Sequence, residues 1–363
     1  MPLRILHVDT ERGWRGGERQ VLWLSTGLAA LGVRNVIAAR RGEPLATRAR
    51  DAGHITAALA PAFEADPRAA WALRRVIRAQ RIQLVHAHTA HAVALAALAT
   101  LGTSVPFVAA RRVDFPLKTN AGTRWKYGRA AAIVAVSEAV AAIVRRAGLQ
   151  TPVVVVPDGT DVTRITAPAS AATLASLGVP AGAPLVVQVA QLVGHKDPLT
   201  FVAAVDAARR AVPGLRALLV GDGPLRGAVE AAVRERGLGD VLRVAGYRTD
   251  ADELLAAADV VTLSSREEGM GSVLLDALVF GRAVAATRAG GIPEVVHDGV
   301  TGLLSPVGDA GALGASIARL LGDDTLRARF GDAGRARAPG FGIDAMARRT
   351  LDVYRDVLAA RRR

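Results

Sequence analysis

The chain has 363 residues, 51% of them hydrophobic and 22% charged, a balance that excludes general disorder and fits two domains of about 150 residues each. Cysteine is absent, which excludes disulfides, thiolate metal sites and a cysteine nucleophile, and lets the chain fold in a reducing compartment. The net charge of +13 is lopsided: residues 1–160 hold 22 basic and 10 acidic side chains, a net of +12, and residues 161–363 hold 24 and 23, a net of +1. Such a field suits an anionic partner for the first half, a membrane surface before nucleic acid, because aromatics are only 4% and no nucleic-acid motif is present.

In chain order, the opening Met1-Pro-Leu-Arg-Ile-Leu-His-Val is too short for a signal-peptide core and reads as a strand. Further strands are predicted at 35–39, 84–87, 107–110, 133–136 and 153–156, with amphipathic helices such as Gly17–Leu31 in most gaps. Asp66–Ile82 sets Arg68, Trp71, Arg74, Arg75, Arg78 and Arg81 among Ala70, Leu73, Val76 and Ile77: a solvated helix, or an interfacial one for anionic lipid. Ala92–Leu101 and Ala130–Val144 fall short of the roughly twenty apolar residues a membrane span needs, so a cytoplasmic protein is expected. Turn-formers gather at Pro157-Asp-Gly-Thr-Asp161 and on to Ala172, where periodicity lapses. Strands follow at 185–190, 216–220, 241–245, 260–263, 283–287 and 302–304, with a helix at Leu225–Arg236 and a last one at Ala345–Ala360. This alternation predicts an α/β fold with parallel sheets covered by helices. Twelve strands are too many for one sheet, so the expected division is an N-terminal domain at 1–160, a second at 161–344, and a C-terminal helix at 345–363 packing back toward the first.

Ligands of open α/β sheets bind beyond the carboxyl ends of strands, where glycine loops lead into helices. Four loops qualify. Arg12-Gly-Trp-Arg-Gly16-Gly17-Glu18 follows the first strand but lacks the dinucleotide spacing G-x-G-x-x-G. The loop ending in His195-Lys196-Asp197 offers a cation to a diphosphate, and Gly221-Asp222-Gly223 is either a tight turn or a pocket wall. The densest is Ser264-Ser-Arg-Glu-Glu268-Gly269-Met270-Gly271, followed by a helical run to Phe280, a strand, and Gly290-Gly291-Ile-Pro293-Glu294. Glu268 stands at the helix mouth and Asp276 eight residues on, about 12 Å along the axis if the stretch is helical throughout. Two such carboxylates can accept hydroxyl hydrogens from different parts of one elongated ligand, with bare amides between them for an anion. Asp250-Ala-Asp252, a literal Asp-x-Asp, reads as helix-start capping rather than a metal site.

The Glu268–Gly271 run, Asp276, Phe280-Gly-Arg-Ala-Val-Ala-Ala-Thr287 and Gly290–Glu294 resemble the donor site of retaining glycosyltransferases of family 4. The resemblance extends to Gly16-Gly17-Glu18, Val85-His-Ala-His88, Ser137-Glu138, Pro157–Asp161, His195-Lys196 and Gly221–Gly223. Arg111-Arg-Val-Asp114-Phe-Pro116 with Trp125-Lys-Tyr127 is similar to members that assemble lipopolysaccharide-type glycans. The resemblance implies the GT-B architecture, two Rossmann-like domains facing a central cleft, and transfer from a nucleoside-diphosphate sugar to a glycan or lipid-linked acceptor without a metal or other cofactor. It implies Glu268 and Lys196 as catalytic, with Gly16, Gly17, Gly269, Met270, Gly271, Asp276 and Glu294 on the donor. His88, Arg112 and Asp114 are cleft or acceptor candidates. Three departures stand out: Asp276 where the family usually has Glu, Gln191 in place of Arg, and Arg111-Arg112 in place of a His. With Gln191, diphosphate binding leans on Lys196 and on Arg266 or Arg288.

The alternatives are a sugar-nucleotide epimerase of the same fold, which needs no acceptor, and a non-catalytic sugar-nucleotide-binding protein, which the replaced side chains allow. A nicotinamide-dependent oxidoreductase is disfavoured by the missing dinucleotide fingerprint.

Overall fold

The computed structural model describes residues 2–118 and 120–361. The chain divides into two compact units, one of residues 1–160 with 341–363 and one of residues 161–340. Each is built on a wholly parallel sheet, as the α/β expectation required.

The first unit contains β1 (Arg4–Val8), β2 (Arg34–Arg40), β3 (Ile55–Leu59), β4 (Leu84–Ala87), β5 (Phe107–Arg111), β6 (Ala132–Ala135) and β7 (Val153–Val155), in the order β3-β2-β1-β4-β5-β6-β7. β1 is buried on both faces, as parallel strands under helices must be. Leu6 and Val8 join one core with Leu73, Ile77, Val93 and Leu95, while Ile5 joins the other with Leu24, Leu28, Ala347, Leu351 and Tyr354. The last three belong to the Ile343–Ala360 helix, so the end of the chain completes the core of the unit that begins it. A Cβ on Gly27 would come within 2.8 Å of the Ala347 Cβ, which is how closely that helix lies on the Gly16–Ala30 helix.

β3 is the strand the sequence reading omits: Ile55-Thr-Ala-Ala-Leu59 is a short run diluted by alanines that suit a helix equally, and it forms the sheet edge with Ile55 about half exposed. The apolar stretch from Ala92 lies inside the Ala90–Ala99 helix, buried in the first core. No helix among the described residues is long and apolar enough to cross a membrane.

The second unit contains β8 (Leu185–Val189), β9 (Arg216–Val220), β10 (Leu242–Gly246), β11 (Val260–Leu263), β12 (Ala283–Thr287) and β13 (Gly302–Ser305), in the order β10-β9-β8-β11-β12-β13. In both sheets the direction of winding reverses beside the first strand, between β1 and β4 and between β8 and β11. These reversals are where such sheets open a crevice for ligands.

Candidate active site

The loops after β8 and β11 flank the reversal in the second unit, and they carry the two residues expected to be catalytic. Lys196 ends a short 3-10 turn at Gly194–Lys196, and Glu268 lies in the loop 264–271. The Lys196 Nζ donates to Glu268 Oε2, which also accepts from Ser265 Oγ at 3.1 Å. Glu268 is 9% exposed, so the carboxylate is shielded from water, while the Lys196 side chain keeps partial access to it.

Both loops are tied down. Asp197 adopts a left-handed backbone with φ of 44°, a conformation costing an L-residue about 1 kcal/mol or more. Its carboxylate offsets that cost by accepting from Thr200 Oγ1 at 2.6 Å and from Arg266 Nε at 2.7 Å. Ser264 Oγ donates to the carbonyl of Asp197 at 2.9 Å, and the amide of Arg266 to that of His195 at 2.8 Å. The amide of Gly291 donates to the Glu268 carbonyl at 2.9 Å, which brings the loop before the short Ile292–Val295 helix against the site. Half-buried Glu294 sits on that helix, whose carbonyls at Glu294 and Val295 accept from Arg337.

The Ser272–Val279 helix begins at Gly271, whose φ of 81° favours glycine. Glu268–Gly271 is therefore loop, so the condition of a stretch helical throughout is not met: half of the separation from Glu268 to Asp276 is irregular chain. Asp276 is 2% exposed and paired at 2.8 Å with Arg164, which also holds Asp252 at 2.7 Å and lies over the Phe280 ring at 4.8 Å. Sequence reasoning missed Arg164, because it falls in the stretch that composition marks as a boundary. The Asp-x-Asp is corrected as well. Asp250 occupies the cap position of the Ala251–Ala257 helix, but its carboxylate makes no capping bond and is bound by Arg248 instead. Of the two reserve cations, Arg266 pairs with Asp197 and Arg288 with Asp298. Gln191 is exposed.

Local packing separates the glycines by what they are for. A Cβ on Gly221 would lie 2.0 Å from the Ala190 carbonyl oxygen, and one on Gly223 2.5 Å from that of Leu192, so packing alone requires both. A Cβ on Gly17 would meet nothing within 4 Å. Gly16 and Gly17 open the Gly16–Ala30 helix of the first unit just past β1, and the Glu18 carboxylate folds back to accept the Arg15 amide at 2.7 Å.

Beside the reversal in the first unit lies a buried histidine cluster. His7 on β1 is register partner to His86 on β4, and His88 follows two residues on. Arg112, just past β5, donates from Nη1 to His88 Nδ1 at 3.1 Å and from Nε to Asp158 at 2.9 Å. Because an arginine only donates, His88 must carry its proton on Nε2 and pass it toward His7 Nδ1 at 3.0 Å. His7 Nε2 then donates to Asn35 Oδ1 at 3.1 Å, while the Asn35 amide donates to the Ser25 carbonyl at 2.9 Å. The three rings place ligand atoms within 4.8 Å of one another, but this chain occupies both nitrogens of His7 and of His88. His86 Nδ1 meets the Tyr354 hydroxyl at 2.6 Å, and its Nε2 has no partner among the described residues. Asp114 is half-buried in the segment after β5.

Burial lowers the pKa of His7 to about 4, and burial with neighbouring imidazoles and Arg112 lowers those of His86 and His88 well below the ordinary 6.5. Between about pH 6.5 and 4 the unfolded chain binds protons that these rings refuse, so stability is lost as pH falls through that window. Burial raises Asp9 to about 7 and raises Glu18 as well; their folded-state protonation adds stability over the same window and offsets part of the loss. His7→Gln is therefore expected to lose less of its unfolding midpoint than the parent between pH 7 and 4.5. Equal slopes would remove the histidines from this account.

The comparisons with known proteins bear on the family and the fold. Residues 171–337 match the family model described as glycosyl transferases group 1, and residues 14–164 match that of glycosyltransferase family 4. The lipopolysaccharide core biosynthesis glycosyltransferase LpsE of Rhizobium meliloti is 33% identical over 188 residues, covering 52% of this chain and 53% of that protein. The chain spans about half the length of this and other curated relatives it matches. The 2-deoxystreptamine glucosyltransferase of Streptomyces kanamyceticus is 32% identical over 266 residues, covering 71% of this chain and 68% of that one. Among solved structures, Anabaena HepE in complex with UDP-glucose superposes with a TM-score of 0.85 at 21% identity, over 98% of this chain and 100% of that one. Both units are thus matched in sequence and the whole chain in fold, and the protein belongs to glycosyltransferase family 4.

Proposed function

We propose that the protein is a retaining glycosyltransferase that moves a sugar from a nucleoside diphosphate to a glycan or lipid-linked acceptor in cell-surface polysaccharide or lipopolysaccharide assembly. The observation that carries this reading is the Lys196–Glu268 pair, held at the winding reversal of the second sheet beside the Gly269–Gly271 entry to a helix. A nucleoside-diphosphate leaving group gains charge as the glycosidic bond breaks. A cation and helix amides fixed in advance stabilise that charge most in the transition state.

In this reading Lys196 and the amides of Met270 and Gly271 face the diphosphate, and Glu268 addresses the donor sugar. Asp276, oriented by Arg164, takes the ribose hydroxyls despite being one methylene shorter than the usual Glu. Glu294 completes the donor contacts of the second unit. Arg112 and Asp114 serve the acceptor, with His88 behind Arg112. No metal enters, because Lys196 and the amides supply the positive charge. The enzyme works in the cytoplasm, in peripheral contact with the anionic inner face of the plasma membrane. The LpsE relative and the UDP-glucose complex of HepE support the acceptor class and the donor class respectively.

A thermal-shift series with UDP, GDP, ADP and their sugar conjugates, with NAD as control, tests the donor site. A ligand binding only the native state adds about 2.7 kcal/mol at a hundredfold excess over Kd. A rise with one nucleoside diphosphate and its sugar, and none with NAD, is expected. No rise with any of them would overturn the reading.

A further inference from the structure

We infer that one face of the first unit, made by the segment from Phe63 to Arg78, docks on an anionic lipid surface. The Pro67–Ala79 helix begins at Asp66, whose carboxylate accepts the amides of Arg68 and Ala69. At 100° per residue, Ala69, Ala70, Leu73 and Ile77 fall within an arc of about 100°. These four are buried in the core, at 6%, 5%, 0% and 4% exposure. Arg68, Trp71, Arg75 and Arg78 fall within about 80° on the opposite side, and all four are exposed.

Trp71 is 61% exposed, with the Arg75 guanidinium 5.0 Å above its ring, and Phe63 in the preceding loop is 62% exposed. An indole left in water at the centre of an arginine stripe has no role in the core, which the helix's other side completes. Aromatic rings beside arginines suit the headgroup level of a bilayer, where the ring sits among glycerol and upper acyl groups and the guanidinium meets phosphate.

Few carboxylates stand near this charge in the chain, and two of them are engaged. Between residues 60 and 130 there are eleven basic and three acidic side chains. Asp66 is buried as the helix cap, Glu64 is paired with Lys126, and Asp114 lies in the segment after β5. The Lys126 pair also joins the Phe63 loop to the Ala121–Gly128 helix, where Trp125 is 42% exposed with Arg129 5.7 Å from its ring. A second exposed aromatic and basic pair thus stands on the helix that this ion pair ties to the Phe63 loop. A nucleic-acid partner fits less well, because a stripe centred on an exposed indole offers apolar area that a phosphate backbone does not use.

This inference deepens the reading of a membrane-side enzyme. Its test contains no sugar nucleotide, so its failure leaves the donor site standing, and a failed donor site leaves it standing. The test is co-sedimentation of the full chain with phosphatidylcholine vesicles, with and without one-third phosphatidylglycerol. The parent is expected to sediment with the anionic vesicles and to be released by salt. Arg75→Glu with Arg78→Glu should weaken partitioning by about tenfold or more. Phe63→Ser with Trp71→Ser should weaken it about tenfold at low salt, with thermal unfolding unchanged in both because these side chains are exposed. Absence of parent binding, or either double variant binding like the parent, overturns the inference. Retention on heparin without vesicle binding overturns it too, as a general affinity for polyanions.

Discussion

Glu268→Gln should leave a folded protein that transfers sugar at least about a thousandfold more slowly, a loss of roughly 4 kcal/mol of transition-state stabilisation. The substitution keeps the shape of the side chain, the Ser265 contact and the Gly291 amide bond to the Glu268 carbonyl. What it removes is the charge opposite Lys196. The Lys196 side chain is 21% exposed, so it can take up water, and the stability cost should stay within about 1 kcal/mol. Initial transfer rates together with thermal unfolding separate the two effects. Near-parental transfer would end the assignment of Glu268 to the reaction.

Arg164→Met is expected to destabilise the second unit by about 3 kcal/mol, because it strands a carboxylate whose side chain is only 3% exposed. Its cost comes from the charge left behind on Asp276, so a second change that removes that charge should restore stability. Arg164→Met with Asp276→Leu should regain at least half of the loss in denaturant unfolding, yet bind a nucleoside diphosphate worse than the parent if Asp276 holds the ribose. A single variant as stable as the parent would show that the pair holds nothing in place.

Much of the candidate site is legible in the chain, for local reasons. A buried parallel strand, a glycine loop and a helix with an acid at its mouth are patterns written within about ten residues, and 260–294 repeats that grammar twice. The limits of such reading are equally local. Where Ile55–Leu59 is diluted by alanines that suit a helix equally, hydrophobic patterning does not single out a strand. Where Asp250 and Asp252 stand near a helix start, propensity suggests caps, but Arg248 and Arg164 offer stronger, charge-assisted partners.

The glycines make the same point from the other side. Gly17 and Gly221 read alike in the sequence, each following a strand. Only the close approach of the Ala190 carbonyl shows that Gly221 is there for packing, whereas Gly17 faces open space.

The alternation of elements and the spacing of glycines and acids were enough to determine two α/β domains and to single out the loop at 264–271, since both are short-range properties of the chain. The tertiary structure alone decided which charges meet. Lys196 and Glu268 are 72 residues apart, Arg164 and Asp276 112, and His7 and His88 81. The first and the last close because the order of strands sets β8 beside β11 and β1 beside β4 at the winding reversals, whereas Arg164 reaches Asp276 from the stretch before β8. Once there, a buried charge or imidazole is held by whichever complementary group the fold brings within reach, a choice no local pattern encodes.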